Sequence, residues 1–349
     1  MDNPAGAKMG TRAAERDGEV SPAPLLEGTF GFAVTAILVA AVELDLFTAL
    51  DEGADTAEKL AAQKSWTPRG VRILLNALAG SGYIEKQGSR YALTPFAATY
   101  LSRKSPVYAG SMAMHSKMLR DNWDHLAEVV RTGQIRRPVE DGEDRGKFFS
   151  EFVGSLYGMN APAAQAVAKF LANPAPKPCR ALDIGAGSGV WGLALAKAVP
   201  HARVTVADWP AVIEKATKQF VAREKLAERY SYLPGNFREV DFGEGAFEIA
   251  YLGHICHSEG AENTRKLFQR LHRALARGGK LVIADMLPDE DRREARFPLL
   301  FAVNMLVNTE EGDTFTLGEY QQWLAASGFG EICTLEVPAA SPVILATKL

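Results

Sequence analysis

From Ala175 to the last residue, short apolar runs alternate with helix-length segments: "RALDIG", "ARVTVAD", "YSYLPGNF", "FEIAYLGHI" and "GGKLVIADML", then a late helix "TLGEYQQWLAASGFG" and the runs "EICTLEV" and "PVILATKL". That alternation demands right-handed crossovers and a mostly parallel sheet covered on both faces, with ligands held at the carboxyl ends of its strands. The fold class is therefore α/β, with a Rossmann-like domain over 175–349. At 349 residues and 47% apolar, the chain has core enough for a second domain before it.

That second domain has a different grammar. Residues 25–101 read as a mainly helical winged-helix module. Thr56 caps "TAEKLAAQ", Thr67 caps "TPRGVRILLNALAG" with Pro68 in the first helical position, and "YIEKQGSRYALT" folds as a hairpin wing around Gly88. Such a module often reads DNA through a basic second helix, but here that helix offers only Arg69 and Arg72 and the whole chain carries a net charge of -3. No nucleic-acid partner is expected, which leaves dimerisation or a lid role.

Residues 1–24 lack an apolar core and read as a disordered tail. The longest apolar run, "GFAVTAILVAAVELDLF" from Gly31, is broken by Glu43 and Asp45, so it reads as a buried helix and not a membrane span. Residues 102–174 read as helical, with a charged loop "RRPVEDGEDRGK" and a cluster of Met112, Met114, His115, Met118, Trp123, Phe149, Phe152, Tyr157 and Met159. The segment "NPAPKP" is a hinge between the halves. Three widely spaced cysteines, Cys179, Cys256 and Cys333, suit a reducing, cytoplasmic setting.

The ligand is read from three successive strand ends. "ALDIGAGSGVWG" sets Gly185, Gly187 and Gly189 behind Asp183, a turn that lets a ligand come close to backbone. A dinucleotide fingerprint fails at Val190, and an acid behind the turn suits an ammonium better than a pyrophosphate. Asp208 closes the second strand, where it can accept both ribose hydroxyls, and Trp209 beside it offers a face to a base. "GNF" follows the third strand, with Asn236 able to pair with an adenine edge and Phe237 next to it. An amino acid at one end and an adenosine at the other describes S-adenosylmethionine.

Together with the winged-helix module, "LDIGAGSG", "ADWP", "GNF", "HICH", "RALARGGKLVIAD" and "NMLVNTEEGDTFTLGEYQQWLAASGF" resemble the small-molecule O-methyltransferases of plant phenolic and bacterial natural-product pathways. The resemblance implies a class I methyltransferase domain, an N-terminal domain that builds an intertwined homodimer, and transfer to a hydroxyl of a small aromatic or polyketide-like acceptor. It also implies a histidine base, here His257, although Ser258 and Glu259 stand where the family has Asp-Trp. Of the acids that assist that base, one matches Thr314 and the other falls near Ala284 and Asp285, while Glu310, Glu311 and Asp313 match neither position, so the match weakens here and leaves open whether an acid assists His257. Acceptor-pocket positions match Met159, Met305 and Thr309, with Asn304, Trp123 and His115 as weaker matches. Relatives that methylate carbon, or use the cofactor without methylating, are the alternative. A metal held by His254, Cys256, His257 and Glu259 is not expected, because neighbours on a strand or turn diverge.

Overall fold

The computed structural model describes residues 20–135 and 145–349, without the side chains of 145–151. Most of the 1–24 tail, most of the charged loop and the Phe149 side chain lie outside the described residues. Two compact units divide the chain, Met1–Lys117 and Met118–Leu349, and the division falls inside the stretch read above as one helical region.

The first unit runs α1 (Ala23–Thr29), α2 (Gly31–Glu43), α3 (Leu46–Asp51), α4 (Ala57–Lys64), α5 (Pro68–Gly80), the hairpin β1 (Ile84–Gln87) and β2 (Arg90–Leu93), α6 (Pro95–Tyr100) and the start of α7 (Ser111–Asp124). The helix, helix, wing reading holds. Thr56 caps α4 by accepting the Lys59 N–H at 3.2 Å, and Pro68 opens α5, whose Val71, Leu75 and Leu78 face the core with Phe47 and Leu60. Thr67 sits at the cap position of α5 without making a cap hydrogen bond.

The buried helix expected at Gly31 is a correction. In α1 and α2 only Val39, Ala41 and Val42 are buried, while Leu25, Leu26, Phe30 and Phe32 are exposed. Ala23–Glu43 is apolar enough, by length and composition alone, to cross a membrane. The physical reason is that α2 is apolar on all sides and its own unit covers only one of them.

In the second unit α8 (Leu126–Thr132) and the long α9 (Arg145–Leu171) precede a seven-stranded sheet. Its strands are β3 (Arg180–Ile184), β4 (Arg203–Asp208), β5 (Tyr230–Pro234), β6 (Phe247–Gly253), β7 (Leu275–Ala284), β8 (Phe329–Leu335) and β9 (Val343–Lys348). They lie in the order β5-β4-β3-β6-β7-β9-β8, parallel except that β9 runs against both neighbours. The crossovers are α10 (Val190–Ala198); α11 (Pro210–Val212), a π turn and α12 (Lys218–Arg223); and α13 (Cys256–Ala274), followed by α14 (Arg296–Asn308) and α15 (Leu317–Ala326). Successive residues of β3 face opposite layers: Ala181 joins the core under α9 and α10, whereas Leu182 and Ile184 join the core under α13 and α15.

Candidate active site

At the end of β3 the three turn glycines take φ of 57°, 55° and 71°, the left-handed region that side chains avoid. A Cβ on Gly185 would also stand 2.3 Å from Ile255 Cδ1. The turn is held from the neighbouring strand: Gly187 N–H donates to Asp208 Oδ2 at 2.9 Å, Trp209 N–H donates to Asp208 Oδ1 at 2.7 Å, and the Thr217 hydroxyl donates to Gly187 O at 2.6 Å. Asp208 is buried and Trp209 half-buried.

Asp183 departs from its expected role. Its parity in β3 turns the side chain under α10, where it is wholly buried and Oδ2 accepts the Gly192 N–H at 3.0 Å. It therefore anchors the start of α10 from below instead of facing an ammonium. Burial, with help from the Asp208 charge, raises its pKa to about 7. Oδ1 finds no partner, nor do the buried hydroxyls of Tyr230 and Tyr251.

Beyond β5, Asn236 is committed to its own turn, accepting the Arg238 N–H at 3.1 Å and donating to Glu239 at 3.2 Å, because an Asx side chain competes for nearby backbone. One amide hydrogen and one lone pair remain for an adenine edge. Phe237 is buried in the core, its ring about 3.8 Å from where a Gly185 Cβ would stand.

The ends of β6 and β7 carry the second half of the site. His257 lies in the first turn of α13, before the break in helical geometry at Gly260, with its side chain 11% exposed. Its Nδ1–H donates to Asp285 Oδ1 at 2.6 Å and its backbone N–H to Oδ2 at 3.0 Å. Tyr320 OH and Met286 N–H complete the shell of Asp285 at 3.0 and 2.9 Å. Burial alone would raise the Asp285 pKa, but the His257 charge and these bonds hold it down at about 2. Of the two positions left open above, the one near Ala284 is filled by an acid bonded to His257, Asp285 just past β7. Thr314, the other matched position, is buried. Phe301 sets its ring edge-on to His257, with centroids 4.9 Å apart.

Of the four residues weighed for a metal, Cys256 enters the core and Glu259 forms a bidentate pair with Arg238 at 2.7 and 3.0 Å, while His254 and His257 stay close together. A different trio converges, His254, His257 and Asp285, with candidate ligand atoms within 4.8 Å of one another. Both Asp285 oxygens in this trio are already engaged by donors, the His257 imidazole among them, while the His254 ring bonds Asn160 instead.

This geometry has known counterparts. An O-methyltransferase domain model matches residues 156–330, and an O-methyltransferase dimerisation domain model matches 26–103, over the winged-helix module. The acetylserotonin O-methyltransferase of Bos taurus is 30% identical, covering 93% of this chain and 97% of its own. The chain belongs to the O-methyltransferase family. The Streptomyces glaucescens tetracenomycin polyketide synthesis 8-O-methyl transferase TcmO is 29% identical to this methyltransferase over 94% of the chain and 97% of its own. The human N-acetylserotonin methyltransferase in complex with SAM superposes with a TM-score of 0.79 at 25% identity, covering 95% of this chain and 99% of its own. The protein is an S-adenosylmethionine-dependent O-methyltransferase of the natural-product type.

The residues matched to the methyltransferase's acceptor side are scattered in burial and engagement. Met159 is exposed on α9 and Met305 is buried in α14. The Thr309 hydroxyl donates to Met305 O at 2.7 Å and accepts the Gly312 N–H at 3.0 Å, so it finishes α14 and is not a free ligand group. Asn304 Oδ1 accepts the indole N–H of Trp123 at 3.1 Å and a hydrogen from Asn308 Nδ2 at 3.0 Å, which leaves the Asn304 amide hydrogens without a partner among the described residues. His115 belongs to the other compact unit, where its Nδ1–H donates to Ser111 O at 3.1 Å. Sequence reading missed Tyr320, Phe301 and Asn160, whose Oδ1 accepts from His254 Nε2 at 3.1 Å.

Proposed function

We propose that this methyltransferase moves a methyl group to a hydroxyl of a flat, aromatic or polyketide-like molecule, with His257 as general base oriented by Asp285. The observation that carries the reading is the 2.6 Å bond from His257 Nδ1–H to a wholly buried Asp285. A carboxylate held at low pKa fixes the imidazole in the tautomer whose Nε2 is an acceptor. Nε2 has no hydrogen-bond partner among the described residues, so it is available to an acceptor hydroxyl. Tyr320 and the His257 backbone N–H keep Asp285 from turning, and Phe301 braces the imidazole from its edge.

S-adenosylmethionine supplies an electrophilic methyl on a sulfonium. The chain's residues fit it: the Asp208 carboxylate closes β4 beside the glycine turn, where a ribose would lie, the turn admits a close backbone approach, and Trp209 lies beside Asp208. As the acceptor oxygen gains the methyl, Nε2 takes its proton and Asp285 stabilises the imidazolium that results. The apolar neighbours Phe301 and Met305 suit a ring, and the bare amide of Asn304 suits a carbonyl on it. The exposed apolar face of α1 and α2 is read as the surface covered by a second copy of the chain, and three unpaired cysteines suit the cytoplasm.

The test is His257→Ala. Turnover of a hydroxylated acceptor should fall on the order of 10²-fold or more, while S-adenosylhomocysteine affinity by calorimetry stays as in the wild type. Undiminished turnover overturns the base assignment.

A further inference from the structure

His254, three residues before the base, has no task in the mechanism above. It directly follows β6 and takes φ of 62°, a left-handed conformation uncommon for a residue with a side chain. Such strain gathers where a site demands a fixed orientation. The ring is fixed at both ends: the backbone N–H donates to Ala284 O at 2.8 Å, and Nε2–H donates to Asn160 Oδ1 at 3.1 Å. Asn160 adjoins Met159 on α9, and the His254 ring centroid lies 6.3 Å from that of His257. His254 thus stands between the base and the helix that carries an acceptor-side residue.

With the proton on Nε2, Nδ1 is a lone pair. It is buried and finds no hydrogen-bond partner among the described residues. Burial drives the imidazole pKa down to about 4, so the ring is neutral at physiological pH and does not compete with His257 for the acceptor's proton. A buried acceptor left bare disfavours the free protein and rewards a molecule that brings a donor.

We propose that His254 is a specificity residue whose Nδ1 accepts a hydrogen bond from a second O–H or N–H of the methyl acceptor, on a position vicinal or peri to the reacting hydroxyl. The substrate class is then a hydroxyarene with two neighbouring donors, one methylated and one recognised. This rests on the reading of His257 as the base, since the second donor is placed relative to the first. A site built to receive a substrate hydrogen rejects the analogue that lacks it, because the site's own polar atom is left unpaired.

The experiment uses matched acceptors, 2,3-dihydroxynaphthalene against 2-naphthol and 1,8-dihydroxyanthraquinone against 1-hydroxyanthraquinone, with the full-length enzyme and S-adenosylmethionine. The wild type should favour the two-donor member of a pair by roughly tenfold or more in kcat/KM, mostly through KM. In His254→Phe that ratio should fall to about one, and in His254→Gln, which keeps a side-chain acceptor, it should be partly restored. The proposal is overturned by a wild type that shows no preference or turns over neither two-donor acceptor, or by a preference that survives His254→Phe. His257→Ala separates the two readings: turnover retained there with the preference intact rejects the base and leaves the specificity residue standing.

Discussion

Asp183 and Asp285 stand at the ends of strands in one parallel sheet, both wholly buried, yet their carboxyls are driven in opposite directions, to about 7 and to about 2. Burial opposes charge equally in kind at both places. The difference lies in what each receives. Asp183 has a single backbone N–H, from Gly192, and a like charge in Asp208. Asp285 has two backbone N–H groups, a tyrosine hydroxyl and an imidazole. One acid is therefore a structural prop that carries a proton part of the time, and the other is a fixed charge that orients the His257 imidazole.

The largest effect should come from the fixed charge. Asp285→Asn replaces an acceptor by a donor facing Nδ1 and favours the wrong imidazole tautomer, so kcat should fall on the order of 10² to 10⁴-fold. Cofactor affinity, read by calorimetry, should change little, and a comparable loss of both would erase the distinction between the two strand ends. Asp208→Ala, which removes both the ribose acceptor and the tie to Gly187, should weaken S-adenosylhomocysteine binding by about 1 to 3 kcal/mol. An unaltered dissociation constant would mean the ribose is held elsewhere.

Gly192→Ala sharpens the role of Asp183 as a prop. The new methyl would stand 2.8 Å from Val204 Cγ1, 3.0 Å from Asp183 Oδ2 and 3.3 Å from Tyr230 OH, so thermal or denaturant unfolding should show a loss of about 1 to 3 kcal/mol. The smallest change in turnover, under about threefold, is expected for Asp183→Asn, because the amide resembles the protonated acid that is already half populated near neutrality. Its signature is in stability. A carboxyl whose folded pKa is raised gives stability that is complete below its unfolded value and is lost as pH rises toward about 7. Melting temperature should therefore decline over that window in the wild type and stay flatter in the variant. A decline of equal slope in both would show that Asp183 ionises as freely in the folded chain as in the unfolded one.

How much of this was legible depended on the distance over which the signal acts. The glycine turn, the acid closing β4 and the winged-helix module are written in stretches of a dozen residues, so periodicity and turn chemistry reveal them. The parity of Asp183 is not, because β3 is buried on both faces and its run "RALDI" does not say which layer each side chain enters. Nor was the exposure of α2, since an apolar helix looks the same whether its own domain or a second chain covers it. Asp285 lies 28 residues from His257, and Asn160 lies 94 from His254. Those contacts exist only once β7 pairs beside β6 and α9 packs nearby.

By itself the sequence determined the architecture and the cofactor: alternating strands and helices with a glycine turn leave little choice of sheet, and the strand-end residues follow from it. Only the tertiary structure decided the electrostatics. A side chain's charge, proton and orientation depend on what the folded chain brings within hydrogen-bond distance, and for two buried aspartates that turned one into a prop and the other into the partner of the His257 imidazole.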